Sequence, residues 1–341
     1  MHCRRAAVLA LAFLLLPAGP AAADTYKLEI ATVAPKKTPW AELLALYEAN
    51  VEKASGGRID VKVFYGGTRG DENAAVRKVA AGDMQGVGAS TGALATLVPE
   101  LNAVEIPFLF KGSREPDYVL DKKLTAPMEA LFRKRGLVFG FWSENGYRHF
   151  GASWGPIHGP GDFAGKPMRS QQSPVHIWMW EALKANVRPI PTTEVTPALQ
   201  KGTVKGFDQS LLFAIATGWH KALGSGGCIT LSEHIYQPAA IAFNAKWFDS
   251  LPADLQKILI DEGRKITDQG RLAIRQLNPE LIKIIQRQGI QVYQLTAAER
   301  ASLETATAGV RARFRREAGG EGVKILDLIE QGVREYRAGK R

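Results

Sequence analysis

Two hydrophobic periods alternate along this chain, and that alternation constrains its fold more than any other feature. Tyr26, Leu28 and Ile30 alternate with Lys27 and Glu29, the period of two that a half-buried strand requires. Thr38 then stands where a helix N-cap belongs, with Pro39 at the first helical position. Trp40, Leu43, Leu44, Tyr47 and Val51 share one face of the helix that follows, and Gly56-Gly57 ends it. Ile59, Val61 and Val63 resume period two, and a second helix is predicted from about Asp71 to Ala81, stopped by Gly82. Residues 85–89 read as a short strand and 136–142 as a buried one. The second half repeats the scheme: strand 166–170, helix 174–185, strand 187–190, helix 193–201 stopped by Gly202, strand 204–207. Ser250 is read as the cap of a long helical stretch reaching about Gln288, with Pro252 near its start. Thr296-Ala297-Ala298-Glu299 is a capping box, and 321–338 predicts a closing helix. Parallel strands need a crossover that a helix supplies, so the chain is read as α/β with mixed, largely parallel sheets.

The N-terminus stands outside that pattern. Arg4-Arg5, an apolar run from Ala6 to Leu16, Pro17 and the small residues Ala21-Ala22-Ala23 form a secretory signal peptide, with cleavage expected after Ala23. The run is too short to span a bilayer, and no later stretch approaches the length a span needs. Cleavage would remove Arg4, Arg5 and Cys3, lowering the formal net charge from +10 to +8 and leaving Cys228 without an intramolecular partner. The remaining residues, 24–341, suffice for two domains held by their cores alone. No low-complexity linker separates them, so strands are expected to join them. The positive balance permits anionic partners. Export, and the lack of a basic cluster with interleaved aromatics, argue against nucleic acid.

Enzyme signatures are sparse. Gly88-Ala89-Ser90-Thr91-Gly92 matches G-x-S-x-G, whose strained turn after a strand exposes a nucleophilic serine. Leu94–Val98 runs straight into Pro99, so the helix that should follow is poor. An exported serine hydrolase using Ser90 stays as the alternative reading; otherwise Ser90 belongs to a turn facing a cleft. His149, His158, His176, His220 and His234 have no metal-ligand spacing, so no metal site is expected. No phosphate-binding glycine loop occurs, so no nucleotide or other cofactor is called for. Anion-binding features are better. Arg169, at the exit of a strand, can offer its fork to a carboxylate, and Arg148 follows the buried strand at 136–142. Trp178 and Trp180 are two apart in a helix, so at most one faces a ligand, and Trp178 is the candidate. Asp71 and Glu72 suit a helix start, with a ligand contact from Glu72 as the other role.

Several segments, in order, resemble the solute receptors of tripartite ATP-independent periplasmic (TRAP) transporters. They are Ser55-Gly56-Gly57-Arg58-Ile59 with Val61–Phe64, Gly66–Glu72, Ala81-Gly82-Asp83-Met84, Ile106-Pro107-Phe108-Leu109-Phe110, Gly161–Arg169, and Glu194-Val195 through Ala198–Gly202 to Val204-Lys205-Gly206. The resemblance covers about Tyr26 to Leu255. It implies a periplasmic binding protein of two α/β lobes that close like a flytrap over a small organic acid and present it to the transporter's membrane subunits. Lobe I is expected from residues 24–146 and 233–280, and lobe II from 147–232 and 281–341, with hinge strands between and C-terminal helices packing across both. The family implies a carboxylate on Arg169, a second polar contact from Arg148, no covalent chemistry and a monomer. Gln209 stands where the family has asparagine, one methylene shorter, and Lys205 where it has aspartate. Thr192 or Thr193 replaces an aromatic, and Pro167 an aliphatic residue. Site residues are thus expected at Arg169, Arg148, Gln209, Glu72, Ser90 and Trp178. A receptor serving a sensor, with a non-acid solute, is the remaining alternative.

Overall fold

The computed structural model describes residues 25–340, and the expected signal peptide and its cleavage point lie outside them. Its strands are β1 (Tyr26–Thr32), β2 (Ile59–Phe64), β3 (Gly86–Ser90), β4 (Leu137–Ala152), β5 (Pro167–Ser170), β6 (Asn186–Pro189), β7 (Gly206–Gln209), β8 (Cys228–Asn244) and β9 (Gln291–Gln294). They form one mixed sheet in the order β2-β1-β3-β8-β4-β7-β5-β6, with β9 also paired to β8. β1 is parallel to β2 and β3; β5 is parallel to β6 and β7; β9 is parallel to β8. The antiparallel pairings are the central ones: β3 with β8, β8 with β4, and β4 with β7. This is the mixed α/β architecture that the alternating periods predict.

β4 and β8 make it two-lobed. Each runs through both parts of the sheet: β3 pairs with the Ala239–Phe243 end of β8, whereas β7 pairs with the His149–Ala152 end of β4 and β9 with the Cys228–Leu231 end of β8. The strand expected at 136–142 therefore continues ten residues further, to Ala152. Register shifts fall at Phe139/Phe141, Glu144/Gly146 and Arg148/Phe150. The first two insert a residue into β4 and the third loops out residues of β8, between Thr230 and Ile235; these breaks in period two conceal the strands in the sequence.

The helices mostly follow their local signals. The Thr38 hydroxyl accepts from the Ala41 amide at the start of Pro39–Ala54, and Trp40, Leu44, Tyr47 and Val51 are buried. Asp71 caps Glu72–Ala81 and Gly82 closes it at φ 91°. Thr296 and Glu299 cap each other reciprocally at the start of Ala297–Thr307. Two expectations need correction. The stretch 250–288 is two helices, Ala253–Gln276 and Asn278–Arg287, broken at Leu277 because Pro279 at the second helix start has no amide to continue the ladder. Ser250 does not cap it: its hydroxyl donates to the Trp247 carbonyl. The stretch 193–201 is a helix only over Val195–Gln200, preceded by a tight turn at Thr192–Glu194.

The long helix Ala253–Gln276 packs on β4 and on Pro39–Ala54. Its Gly263 admits the Phe141 ring so closely that a Cβ there would lie 1.9 Å from Phe141 Cδ1. Ala297–Thr307 and Gly309–Glu317 pack on Pro174–Ala182, whereas the closing helix Gly319–Arg337 packs on Pro99–Glu105 and Arg114–Val119. Arg337 binds Glu115 there at 2.6 Å. Among the described residues no helix is long and apolar enough to cross a membrane.

Candidate functional site

A cavity opens where the central strands meet the second half of the sheet. Its walls come from β1, β3, β4 and β8, from the helices Pro39–Ala54 and Ala253–Gln276, and from Arg169, Gln171, Thr192, Gln209 and Phe213. Trp40 and Phe213 approach to 6.0 Å between ring centroids, so the two sides are in contact. Glu72, Ser90, Arg169 and Gln209, four of the six residues singled out in the sequence, line this one space.

Arg169 ends in an arrangement built for an anion. It is 1% exposed, yet no carboxylate of the described residues lies within ion-pair distance of it. Its Nε donates to the Ile190 carbonyl at 3.2 Å and Nη2 to Thr192 Oγ1 at 3.4 Å. Nη1 has no acceptor among the described residues. The guanidinium lies over Trp219 at 5.2 Å. Burial, and then the like charge of Arg148, push its pKa from 12.5 down to about 9. A buried guanidinium with a free N–H in a cavity is a fork waiting for a planar anion.

Arg148 behaves differently. It is fully buried, does not line the cavity and is already paired, with Nε on Asp208 Oδ2 at 2.5 Å and Nη1 on Gln237 Oε1 at 2.6 Å. A weaker bond reaches Gln209 Oε1 at 3.3 Å. Burial alone would raise the Asp208 carboxyl, but Arg148 and then the imidazoles of His176 and His234 hold it well below its ordinary value. Arg148 therefore positions the glutamines behind the cavity wall. Gln237 Nε2 donates to Glu105 and to Gln171 Oε1, both at 2.8 Å, and Gln171 Nε2 donates to Ser90 Oγ at 2.9 Å. Glu105 also accepts from Thr91 Oγ1 and meets His176 Nε2 at 2.5 Å.

Ser90 is held in this network. Its amide and hydroxyl donate to the two oxygens of Glu72, at 2.9 and 3.1 Å, and the hydroxyl caps the short helix Thr91–Leu94. Its partners are Glu72, Gln171 and Ala93, so no histidine is placed to take its proton. Burial raises the Glu72 carboxyl against the Ser90 donors and the Arg169 charge.

Trp178 is not brought into the site: it faces the C-terminal segment, under the Arg313 guanidinium at 4.6 Å, and Trp180 is wholly buried in the core. Trp40 supplies the aromatic wall instead, together with Phe141, Trp142 and Phe213. Gln171 and Gln237 were not visible as site residues. Each lies in an extended segment where only partners 23 or more residues away give its side chain a role.

The model of the bacterial extracellular solute-binding protein family 7 matches residues 30–317. The chain belongs to that family. It is a solute-binding receptor of the TRAP type, a class of periplasmic proteins. A solute-binding protein of Verminephrobacter eiseniae is 30% identical over 273 residues, 80% of each chain. The C4-dicarboxylate-binding periplasmic protein DctP of Rhodobacter capsulatus is 25% identical, over 90% of this chain and 92% of its own. Among solved structures, a TRAP periplasmic solute-binding protein of Polaromonas sp. JS666 bound to D-erythronate superposes with a TM-score of 0.83. It is 26% identical, over 89% of this chain and 98% of that one. The sugar acid binding protein DctPAm of Advenella mimigardefordensis, in complex with galactonate, reaches 0.85 at 25% identity, over 91% and 99%.

Proposed function

We propose that this receptor captures a small organic acid in the cavity beside Arg169 and delivers it to the membrane subunits of a TRAP transporter. The observation that carries the reading is the buried, unpaired guanidinium of Arg169, with Nη1 lacking an acceptor among the described residues. The ligand carboxylate takes that place and discharges a cation that otherwise sits alone in a low dielectric. Relatives support the ligand class. The similar proteins just described bind a C4-dicarboxylate, D-erythronate and galactonate, and all three are carboxylates.

Residues 24–146 with 233–280 form the first lobe and 147–232 with 281–341 the second, with the closing helix reaching back onto the first. Ligand touching both lobes stabilises the closed form, and the membrane subunits read that form. The protein works as an exported, periplasmic monomer, without covalent chemistry, cofactor or nucleic acid. The hydrolase reading loses ground because the Ser90 hydroxyl is engaged by Glu72 and Gln171.

A thermal-shift screen of residues 24–341 against organic acids tests the proposal, since a ligand of the folded state raises the melting temperature by mass action. Arg169→Ala should then cost roughly 2–5 kcal/mol of binding, the loss expected when one partner of a desolvated charge pair is removed. Unchanged affinity in that variant would overturn the assignment.

A further inference from the structure

The cavity is polar at one end and apolar at the other, and the sheet register fixes the order. Gln237, Ala239 and Ile241, two apart on one face of β8, all line the space, with Ala240 between them also at its wall. The two shifts beside Gln237 and Ile241 insert residues into β4, so β8 carries this face without a break from one to the other. The neighbouring strands add to each level. Ser90 on β3 and Ser143 on β4 both pair with Ala239; Gly88 and Phe141 both pair with Ile241. From Gln237 to Ile241 the strand advances about 13 Å.

The Gln237 level belongs to the glutamine network that Arg148 anchors. The Ile241 level opens onto Leu43 and Leu44 of one helix and Ile266 of another. Two glycines let the apolar side chains of that end pack closely. A Cβ at Gly88 would lie 2.9 Å from Ile241 Cδ1, and one at Gly270 would lie 2.9 Å from Leu43 Cδ1. The lining contains one cationic side chain, Arg169, and one anionic one, Glu72. Arg148 is spent on Asp208 and adds no second cation.

We propose that the ligand is an amphipathic monocarboxylate, with its single carboxylate on Arg169 and an alkyl or aryl body lying toward the Ile241 level. The inference rests on the organic-acid reading above and narrows it. A second carboxylate would be repelled near Glu72 and unpaired beside Leu44, Phe141, Ile241 and Ile266, since the lining offers it no second cation. A polyhydroxylated acid would set hydroxyls against the same apolar side chains, where the nearest hydroxyls, Thr32 and Thr267, are already bonded to the Ala34 amide and to the Trp142 and Gly263 carbonyls. A hydrocarbon body meets none of these costs and removes apolar surface from water. It also bridges the lobes, because Trp40 and Phe213 contribute to the wall from opposite sides.

Calorimetric titration of residues 24–341 tests this with butanoate, pentanoate, hexanoate, 3-phenylpropanoate, succinate and D-galactonate. Affinity should rise about fourfold for each methylene from butanoate to hexanoate, the increment for a buried CH₂. 3-Phenylpropanoate should bind at least about tenfold more tightly than succinate or galactonate. Ile241→Thr, which keeps the branched shape the strand prefers, should flatten the chain-length series. Succinate or galactonate binding as tightly as hexanoate, or a flat wild-type series, would overturn the proposal. If galactonate binds and Arg169→Ala abolishes it, the carboxylate reading stands while this narrowing falls. Binding by no member of the panel would overturn both.

Discussion

Replacing Arg169 with methionine should make the empty receptor more stable while destroying its binding. The guanidinium is 1% exposed and has no carboxylate partner among the described residues, and burial with Arg148 pushes its pKa from 12.5 to about 9. At 1.36 kcal/mol per unit, that is a cost of about 4–5 kcal/mol for keeping the charge in the folded state. The folded group gives up its proton more readily than the unfolded one, so the cost is complete at every pH below about 9 and fades only above it. Against it stand two long hydrogen bonds, to Ile190 and Thr192, and the stacking on Trp219, together worth about 2–3 kcal/mol. Methionine fills similar volume without charge. The unliganded Arg169→Met protein should therefore gain about 2 kcal/mol, seen as a higher urea midpoint at unchanged slope. In the same preparation, titration should detect no binding of the acid that the wild type takes. A lower midpoint in the variant, or retained binding, would refute the argument that Arg169 is a cation held in reserve for the ligand.

Two further outcomes follow from burial and packing. Burial pushes His149 down to about 3, and burial pushes His234 down to about 4 despite the nearby Asp208. Both bind protons more readily when unfolded, so stability should fall as pH drops below 6.5, by about 2 kcal/mol per unit between pH 6 and 5. His176 is raised and works on the other flank: its contribution is complete below about 6.5 and is lost as pH rises through its folded value. Urea denaturation at pH 7, 6 and 5 checks this, and equal midpoints at pH 6 and 5 would contradict it. Gly263→Ala should lower the melting temperature, although alanine normally gains about 1 kcal/mol over glycine inside a helix. A Cβ 1.9 Å from Phe141 Cδ1 forces the helix off β4, at a cost of about 1–3 kcal/mol or more, and a higher melting temperature would show that the contact yields.

The parts of the fold that were legible in the sequence are those decided by neighbours in the chain. The Thr38 and Thr296 caps, the Gly82 stop and the alternation in β1 and β2 are local choices, and each is where its signal puts it. The central pair was not legible. β8 contains Pro238 in its interior, and β4 is interrupted by three register shifts, so neither presents an unbroken alternation. The site divides in the same way. Arg169, Glu72 and Gln209 fall in segments in the family's order and Ser90 in a G-x-S-x-G match, and all four line the cavity together. Gln171 and Gln237 acquire a role only through contacts across the sheet, and Trp178 was misplaced because helical spacing tells which residues part but not which side meets the cavity.

The shared strands β4 and β8 also decide how the chain can assemble. β3 cannot find its inner neighbour until Ala239–Phe243 has been made, roughly 150 residues later in the sequence. By then every strand of the far half except β9 has been synthesised. Neither half holds a complete sheet of its own, so neither can be cut out as an autonomous folding unit, and the molecule must condense late and as one. For a protein expected to thread through a membrane before use, that delay is an advantage: an early-folding N-terminal half would jam the passage, whereas this one stays unfinished until nearly all of the chain is available.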